Sequence, residues 1–190
     1  MATPRRIYWD ACVWIALIQQ EQIRDVTGKL VDDRYGMCRN VIAAAERDQL
    51  EIATSALSFA EVCKAPGIAD QTEDKIAAFF EKDYVLPVNL DRAVGERARA
   101  LMRMGISKFK PADACHLATA ALANVDEMHT FDDKLLVLTD KIDKEDGTKL
   151  KICKPDPGGK PAPLLDQINA EGKPDDEQSP SSPGTVTPPA

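Results

Sequence analysis

Residues 6–20 read RIYWDACVWIALIQQ, and this stretch decides the fold. The mostly apolar residues 6–10 predict a short buried strand, and residues 12–20 predict an apolar helix that follows at once. A strand joined directly to a helix is typical of α/β proteins. The apolar run from residue 7 to residue 18 is short and contains Asp10, so we predict neither a membrane span nor a secretory signal.

The same alternation continues along the chain. Further strands are predicted at residues 50–54, 84–88, 127–131 and 150–153, and further helices at residues 35–49, 55–64, 72–82, 90–104 and 111–124. This pattern favours an α/β fold with a central, mainly parallel sheet. Because parallel crossovers are right-handed, the carboxyl ends of the strands and the amino ends of the following helices should meet at one edge of the sheet.

The composition limits the classes of partner and compartment. The 190 residues include 24 Lys and Arg against 31 Asp and Glu, a formal charge of −7, so net charge does not attract this protein to nucleic acid. A polyanionic partner would need a local basic patch or bound metal ions. The five cysteines are odd in number and widely spaced, which is typical of reduced thiols and favours a cytoplasmic protein.

Residues 154–190 differ in composition from the rest of the chain. Nine of the 13 prolines lie there, and proline lacks the amide donor that helices and sheets need. We therefore predict a folded domain at residues 1–153 and a disordered, proline-rich tail at residues 154–190.

Four acidic residues are predicted to lie near one edge of the sheet. Asp10 and Asp132 end strands. Asp113 lies in the first turn of the helix that Pro111 begins, and Glu61 lies in the second turn of the helix after the second strand. Each has a structural explanation: the two strand-end acids could cap helices, Asp113 could be stabilised by the helix dipole, and Glu61 could be a solvated residue.

Taken together, the four carboxylates indicate a metal site. They would repel one another and raise one another's pKa unless a cation lies between them. The all-oxygen ligand set favours magnesium. Zinc is disfavoured, because the chain has only His116 and His129 and no cysteine pair with ligand spacing. Both histidines are expected in the core, although His116, one turn after Asp113, could instead support the acids.

Four motifs in order carry a family resemblance. They are IYWDACVWI at residues 7–15, LSFAEVCK at residues 57–64, KPADACHLATAAL at residues 110–122 and MHTFDDKLL at residues 128–136. The chain resembles the PIN domains, particularly the bacterial VapC-type toxin ribonucleases, over about residues 5–153. The resemblance implies a three-layer α/β/α fold and a metal-dependent endoribonuclease whose products carry a 5'-phosphate and a 3'-hydroxyl.

The resemblance also implies a site and partners. The catalytic and metal-binding residues would be Asp10, Glu61, Asp113 and Asp132, with Mg2+ or Mn2+ as the cofactor. Asp10 and Asp113 would bind the principal ion, while Asp132 and Glu61 would orient water, serve as general base or complete a second ion site. Besides its RNA substrate, such a toxin would bind a small antitoxin protein, and it could form a homodimer.

The first and the fourth motif each differ from the PIN pattern or leave a residue assignment open. Ala11 and Cys12 occupy the places where PIN domains often carry a small hydroxyl residue, whereas Thr130 matches the hydroxyl residue that usually precedes the fourth acid by two. Asp133 adjoins Asp132 and could take its place, because sequence alone does not fix where a strand ends.

A basic stretch offers a path for RNA. Residues 92–110 contain six basic residues and one acidic residue; the basic ones are Arg92, Arg97, Arg99, Arg103, Lys108 and Lys110. Arg92, Arg99 and Arg103 share a helix face that could guide phosphates towards Asp113, although a solvated face explains them equally well. Trp9 is expected in the core, as is Trp14.

The alternative to a nuclease is a catalytically silent PIN-like module that binds RNA or a protein partner. Such a module would have the PIN-like fold and would not cleave RNA.

Overall fold

A five-stranded parallel sheet forms the centre of the protein in the computed structural model, which describes residues 4–63, 77–105 and 109–158. The strands are β1 (Arg5–Trp9), β2 (Ile23–Arg24), β3 (Leu30–Asp32), β4 (Leu50–Ser55), β5 (Val85–Val88), β6 (Glu127–His129) and β7 (Lys151–Cys153). The main sheet has the order β5-β4-β1-β6-β7, and every neighbouring pair in it is parallel. Strands β2 and β3 form a separate antiparallel pair.

Helices connect the strands. They are α1 (Ala11–Ile18), α2 (Arg34–Ala45), α3 (Ala56–Val62), α4 (Arg92–Arg103), α5 (Pro111–Leu122) and α6 (Asp133–Leu136). Residues 77–80 are also helical. None of the helices within the described ranges is long and apolar enough to cross a membrane.

The sheet separates two apolar cores, because side chains alternate between its faces. On β1, Ile7 and Trp9 pack in a core that includes Trp14 of α1. Tyr8 points to the opposite face and packs with residues of α4 and α5, such as Leu101 and Leu117. Helices therefore flank the sheet on both faces, which confirms the predicted α/β fold. Both tryptophans are fully buried, as the sequence indicated.

The ends of several elements differ from the predictions. The helix predicted at residues 35–49 ends at Ala45, because Asp48 takes a left-handed backbone conformation (φ 57°) that turns the chain into β4. The strand predicted at residues 127–131 ends at His129, since Asp132 already caps α6. Of the predicted helix 72–82, residues 72–76 lie outside the described part, as do residues 159–190 of the predicted tail.

The hairpin β2–β3 and helix α6 were not predicted. The hairpin turns at Gly28, whose φ of 85° suits glycine. Its apolar residues Val26 and Val31 are exposed. A strand pair that buries little apolar surface leaves no alternating pattern in the sequence, which explains why it was missed.

Candidate active site

Asp10 lies at the carboxyl end of the central strand. It is the residue between β1 and α1 and caps α1, because one carboxylate oxygen accepts a hydrogen bond from the Val13 amide at 3.2 Å. Asp10 is nonetheless 4% exposed, which is unusual for an aspartate cap. Burial raises the pKa of its carboxyl group, partly offset by hydrogen bonds from Cys12 and Thr130. The capping role therefore explains the backbone geometry and leaves the burial unexplained.

A thiol connects Asp10 with the segment after β6. The Cys12 thiol donates to Asp10 Oδ1 at 2.9 Å, and its sulfur accepts a hydrogen bond from the Phe131 amide at 3.2 Å. The same sulfur lies 3.4 Å from Thr130 Oγ1, which accepts from the Asp132 amide. Cys12 thus makes the polar bridge that a hydroxyl residue could make at this position. Sequence reasoning noted the cysteine and gave it no role.

Asp132 is placed by this bridge at the start of α6. One of its oxygens accepts from the Lys134 amide at 2.8 Å, so Asp132 caps the helix, as the structural explanation suggested. Its neighbour Asp133 is exposed in the first turn of α6. Of the two acids, only Asp132 is linked through Thr130 to the segment that carries Asp10, which favours Asp132 as the fourth acid.

Asp113 is held at the start of α5. Pro111 begins this helix, and Asp113 Oδ2 accepts from the Lys110 amide at 2.8 Å, a capping-box contact. A capping hydrogen bond engages one oxygen of a carboxylate and does not prevent the other oxygen from binding a cation. The structural and functional explanations of Asp113 are therefore compatible.

Glu61 lies near the end of α3 and reaches α5. Its Oε2 is 2.7 Å from Nε2 of His116, whose Nδ1 is 2.7 Å from the Tyr8 hydroxyl. His116 is 3% exposed, as expected of a core residue, yet it also contacts one of the four acids. His116 is therefore a core residue, as expected, and it also lies where it could support the acids.

The four acids do not form a closed cage of ligands. Among the described residues, Glu127, His129 and Cys153 bring three potential metal ligands within 4.8 Å of one another. No three of the four acids, which all lie in the described part of the chain, do so. An ion held by the four acids would therefore keep several water ligands, as magnesium usually does.

A comparison of this sequence with models of protein families assigns the chain to one family. The family model described as "PIN domain" matches residues 7–141, which is more than half of the chain. This chain belongs to the PIN domain family. Its members are typically nucleases and are generally metal-dependent. A search of curated proteins finds no match.

Solved structures with a similar fold include a VapC toxin and a VapBC complex. The VapC20 toxin of Mycobacterium tuberculosis, which cleaves the sarcin-ricin loop, has a TM-score of 0.51 at 19% identity and covers 67% of this chain and 90% of its own. VapBC2 from Rickettsia felis, crystallised with a DNA fragment from their promoter, has a TM-score of 0.52 at 14% identity and covers 80% and 99%. A toxin-antitoxin complex from Klebsiella pneumoniae has a TM-score of 0.47 at 21% identity, with coverages of 67% and 88%. At such identities the first two establish the shared fold.

The donor set of this PIN domain fits a hard divalent cation. Within the described part of the chain, the hydrogen-bond partners of the buried Asp10 carboxyl group are the Val13 amide, the Cys12 thiol and the Thr130 side chain, none of which carries a positive charge. Burial raises the pKa of Asp10 overall, although His116 lowers that pKa in part through its charge. A cation beside it would stabilise the ionised form that burial disfavours. Carboxylate oxygens are the ligands that magnesium and manganese prefer.

The second cluster, Glu127, His129 and Cys153, does not fit a metal ion. Glu127 is already neutralised by Arg5 and by Lys151, whose Nζ is 3.2 Å away. The Trp9 indole donates to Nδ1 of His129 at 3.1 Å, so in neutral imidazole the proton lies on Nε2, the nitrogen that faces Glu127 at 3.7 Å. Metal binding there would require breaking the indole hydrogen bond. We interpret this cluster as a structural one in PIN-domain strands β6 and β7.

His129 should make stability pH-dependent. Burial, reinforced by Arg5, lowers the pKa of His129 to about 3, whereas the unfolded chain takes up that proton near pH 6.5. Acid therefore favours the unfolded state, and the free energy of unfolding should fall by about 1.5 kcal/mol between about pH 6.5 and about pH 5. We expect His129→Asn, whose side-chain oxygen can accept from Trp9, to remove that part of the slope. Urea denaturation at several pH values measures the free energy of unfolding of the wild type and of His129→Asn. The same dependence on pH in the two proteins would contradict the prediction.

Proposed function

We propose that this PIN domain is a metal-dependent endoribonuclease that hydrolyses RNA phosphodiester bonds, with Asp10, Glu61, Asp113 and Asp132 as its catalytic and metal-binding residues. The observation that carries the proposal is the burial of Asp10 at the end of the central strand, where no cationic side chain of the described residues is among its hydrogen-bond partners. A carboxylate with only a capping role would be more stable in solvent. Its burial is explained if a cation shares the site.

The cofactor would be Mg2+ or Mn2+. When bound, such an ion lowers the pKa of a water ligand and neutralises charge on the phosphate in the transition state. Asp10 and Asp113 would hold it, since Asp10 caps α1, Asp113 lies in the first turn of α5, and each uses one oxygen for a hydrogen bond to a backbone amide at the helix start. Asp132 and Glu61 would accept a proton from the attacking water or orient that water.

The substrate path would be the exposed face of α4. Arg97 donates to the Asp143 carbonyl and Arg92 pairs with Glu96, so these two arginines are engaged within the protein. Arg99 and Arg103 are exposed, and no ion pair with another described residue involves them. Helix α4 ends at Arg103, and the chain then leads to the start of α5, where Asp113 lies. We propose that this face guides phosphates towards Asp113.

Reversing the charges of Arg99 and Arg103 should weaken RNA binding. For Arg99→Glu with Arg103→Glu we expect at least about tenfold lower affinity for single-stranded RNA, and a slope of log K against log salt smaller by roughly 1.4, since about 0.7 is lost per phosphate contact. Filter binding at several salt concentrations measures both.

The matched control carries the same change of net charge elsewhere. Arg47 and Lys82 are exposed in the turns that precede β4 and β5, at the amino edge of the sheet. The double variant Arg47→Glu with Lys82→Glu should bind RNA much as the wild type does. Equal losses for the two double variants would show that only net charge matters and would contradict the α4 path.

The proposed partners follow from the same family. VapC20 is described as a toxin, and VapBC2 was crystallised with promoter DNA. We propose that this chain is likewise the toxin of a toxin-antitoxin pair, that a small antitoxin protein holds it inactive, and that it can form a homodimer.

Cleavage of end-labelled single-stranded RNA tests the proposal directly. The purified protein should cut with Mg2+ or Mn2+ and should not cut with EDTA. Intact RNA across a broad panel of substrates would favour the catalytically silent module. The separation of the acids' ligand atoms is the observation that supports that second candidate.

A further inference from the structure

A buried chain of hydrogen bonds links Glu61 to the central strand. Tyr8 Oη and His116 Nδ1 are 2.7 Å apart, and His116 Nε2 and Glu61 Oε2 are also 2.7 Å apart. Tyr8 is 0% exposed and His116 is 3% exposed. Hydrogen bonds in such an environment are stronger and more selective of geometry than those in water. The chain therefore restrains the group at its exposed end, the Glu61 carboxylate.

The three groups allow one arrangement of protons when the imidazole is neutral. A carboxylate only accepts, so Nε2 of His116 carries the hydrogen and donates to Glu61. Nδ1 then accepts, and the Tyr8 hydroxyl donates to it. The Tyr8 oxygen also hydrogen-bonds with the backbone and side chain of Ser55 and with the side chain of Thr119, and these contacts hold the Tyr8 ring beside His116. In this arrangement the Tyr8 hydroxyl stabilises the tautomer of His116 that carries its hydrogen on Nε2 and donates it to Glu61.

The three residues belong to three different elements. Glu61 is the second-last residue of α3, which has seven residues, whereas His116 is within α5 and Tyr8 within β1. A glutamate side chain has several rotatable bonds, so its direction depends on the groups that it contacts, and His116 is one of them. His116 follows Asp113 by three residues, so both lie on one side of α5. The hydrogen bond from His116 therefore sets Glu61 relative to Asp113.

We propose that His116 is a positioning residue, which uses the hydroxyl of Tyr8 to hold the Glu61 carboxylate in the orientation that the metal site requires. This inference rests on the proposed role of Glu61. Groups that orient a metal-binding side chain typically contribute about 10- to 100-fold to metal affinity or to activity.

The first experiment measures Mn2+ affinity of the full-length protein by electron paramagnetic resonance, beside its rate of RNA cleavage. His116→Leu should bind Mn2+ about 10- to 100-fold more weakly. His116→Gln should recover most of that loss, because its side-chain amide can donate from nearly the position of Nε2. His129→Asn is the matched control, since it alters a buried histidine on the opposite face of the sheet, and it should bind Mn2+ like the wild type. Thermal unfolding of each variant confirms that it is folded.

The second experiment repeats His116→Leu in a Glu61→Gln background. If His116 acts through Glu61, its loss should change Mn2+ affinity about threefold at most in that background, because coupled residues are not additive. Equal losses in the two backgrounds, or a glutamine variant as poor as the leucine variant, would overturn the inference.

The results also separate this inference from the proposed nuclease. A wild type that shows the coupling and cuts no RNA would support the role of His116 and argue against the nuclease. A nuclease whose Mn2+ affinity does not change in His116→Leu would overturn the role of His116 alone. A wild type that binds no Mn2+ would overturn both.

Discussion

Replacing Asp10 by asparagine should lower the rate of RNA cleavage by about a thousandfold or more, which is roughly 4 kcal/mol of transition-state free energy. The amide carries no charge, so it neither holds a divalent cation well nor stabilises the charge that the cation would bring. Its oxygen can still accept from the Val13 amide and cap α1. The loss should therefore be one of chemistry and not of folding.

Stability measurements separate the two effects of this substitution. Because burial raises the pKa of Asp10, its ionised form destabilises the fold at neutral pH in the absence of metal. We expect Asp10→Asn to unfold in EDTA at the wild-type temperature or above it. Added Mg2+ should raise the unfolding temperature of the wild type and not that of the variant.

A control with the same local geometry is available at α4. Asp91 is an exposed residue that caps this helix through its contact with the Val94 amide at 3.0 Å. Asp91→Asn makes the same chemical change at another helix cap, and the rate of RNA cleavage should stay near that of the wild type. Cleavage by Asp10→Asn at the wild-type rate would remove Asp10 from the mechanism.

Replacing Trp14 by alanine should lower the free energy of unfolding by about 3 to 5 kcal/mol. Trp14 is fully buried, and its ring contacts those of Trp9 and Phe80 edge-on, at centroid distances of 4.7 and 5.0 Å. Its indole also donates to Thr54 Oγ1 at 3.0 Å. Alanine would leave a large cavity beneath the helix that Asp10 caps.

Trp14→Phe separates the cavity from the hydrogen bond. This variant keeps an aromatic ring and loses the indole donor, so we expect a loss of about 1 to 2 kcal/mol. Urea denaturation followed by circular dichroism measures both variants. A Trp14→Ala protein within about 1 kcal/mol of the wild type would show that the core relaxes around the missing ring.

Much of the fold could be predicted from the sequence, because its main signals are local. The strand that ends at Asp10 is followed at once by an apolar helix, and this order suffices to predict a parallel sheet. The family comparison and the sheet topology confirm that prediction. The ends of elements were less predictable. Backbone turns such as that at Asp48 end helices without any change in apolar periodicity.

The contacts within the candidate site could not be predicted from the sequence. The bridge from Cys12 to Thr130 joins residues 118 positions apart, and the bond from Glu61 to His116 joins residues 55 apart. Such contacts depend on the register of packed elements, which a single sequence does not encode locally. The sequence could identify the four acids as a set, and their roles stay a prediction.

Three aspartates of the candidate site each accept a backbone hydrogen bond at the start of a helix through one carboxylate oxygen, and this has a practical consequence. Asparagine keeps that oxygen, whereas alanine removes it, so an alanine scan would confuse loss of function with loss of a helix end. Asparagine variants should instead give intact protein that binds RNA without cutting it. Such variants are suited to capturing the uncut RNA target and to crystallising the complex of protein and RNA.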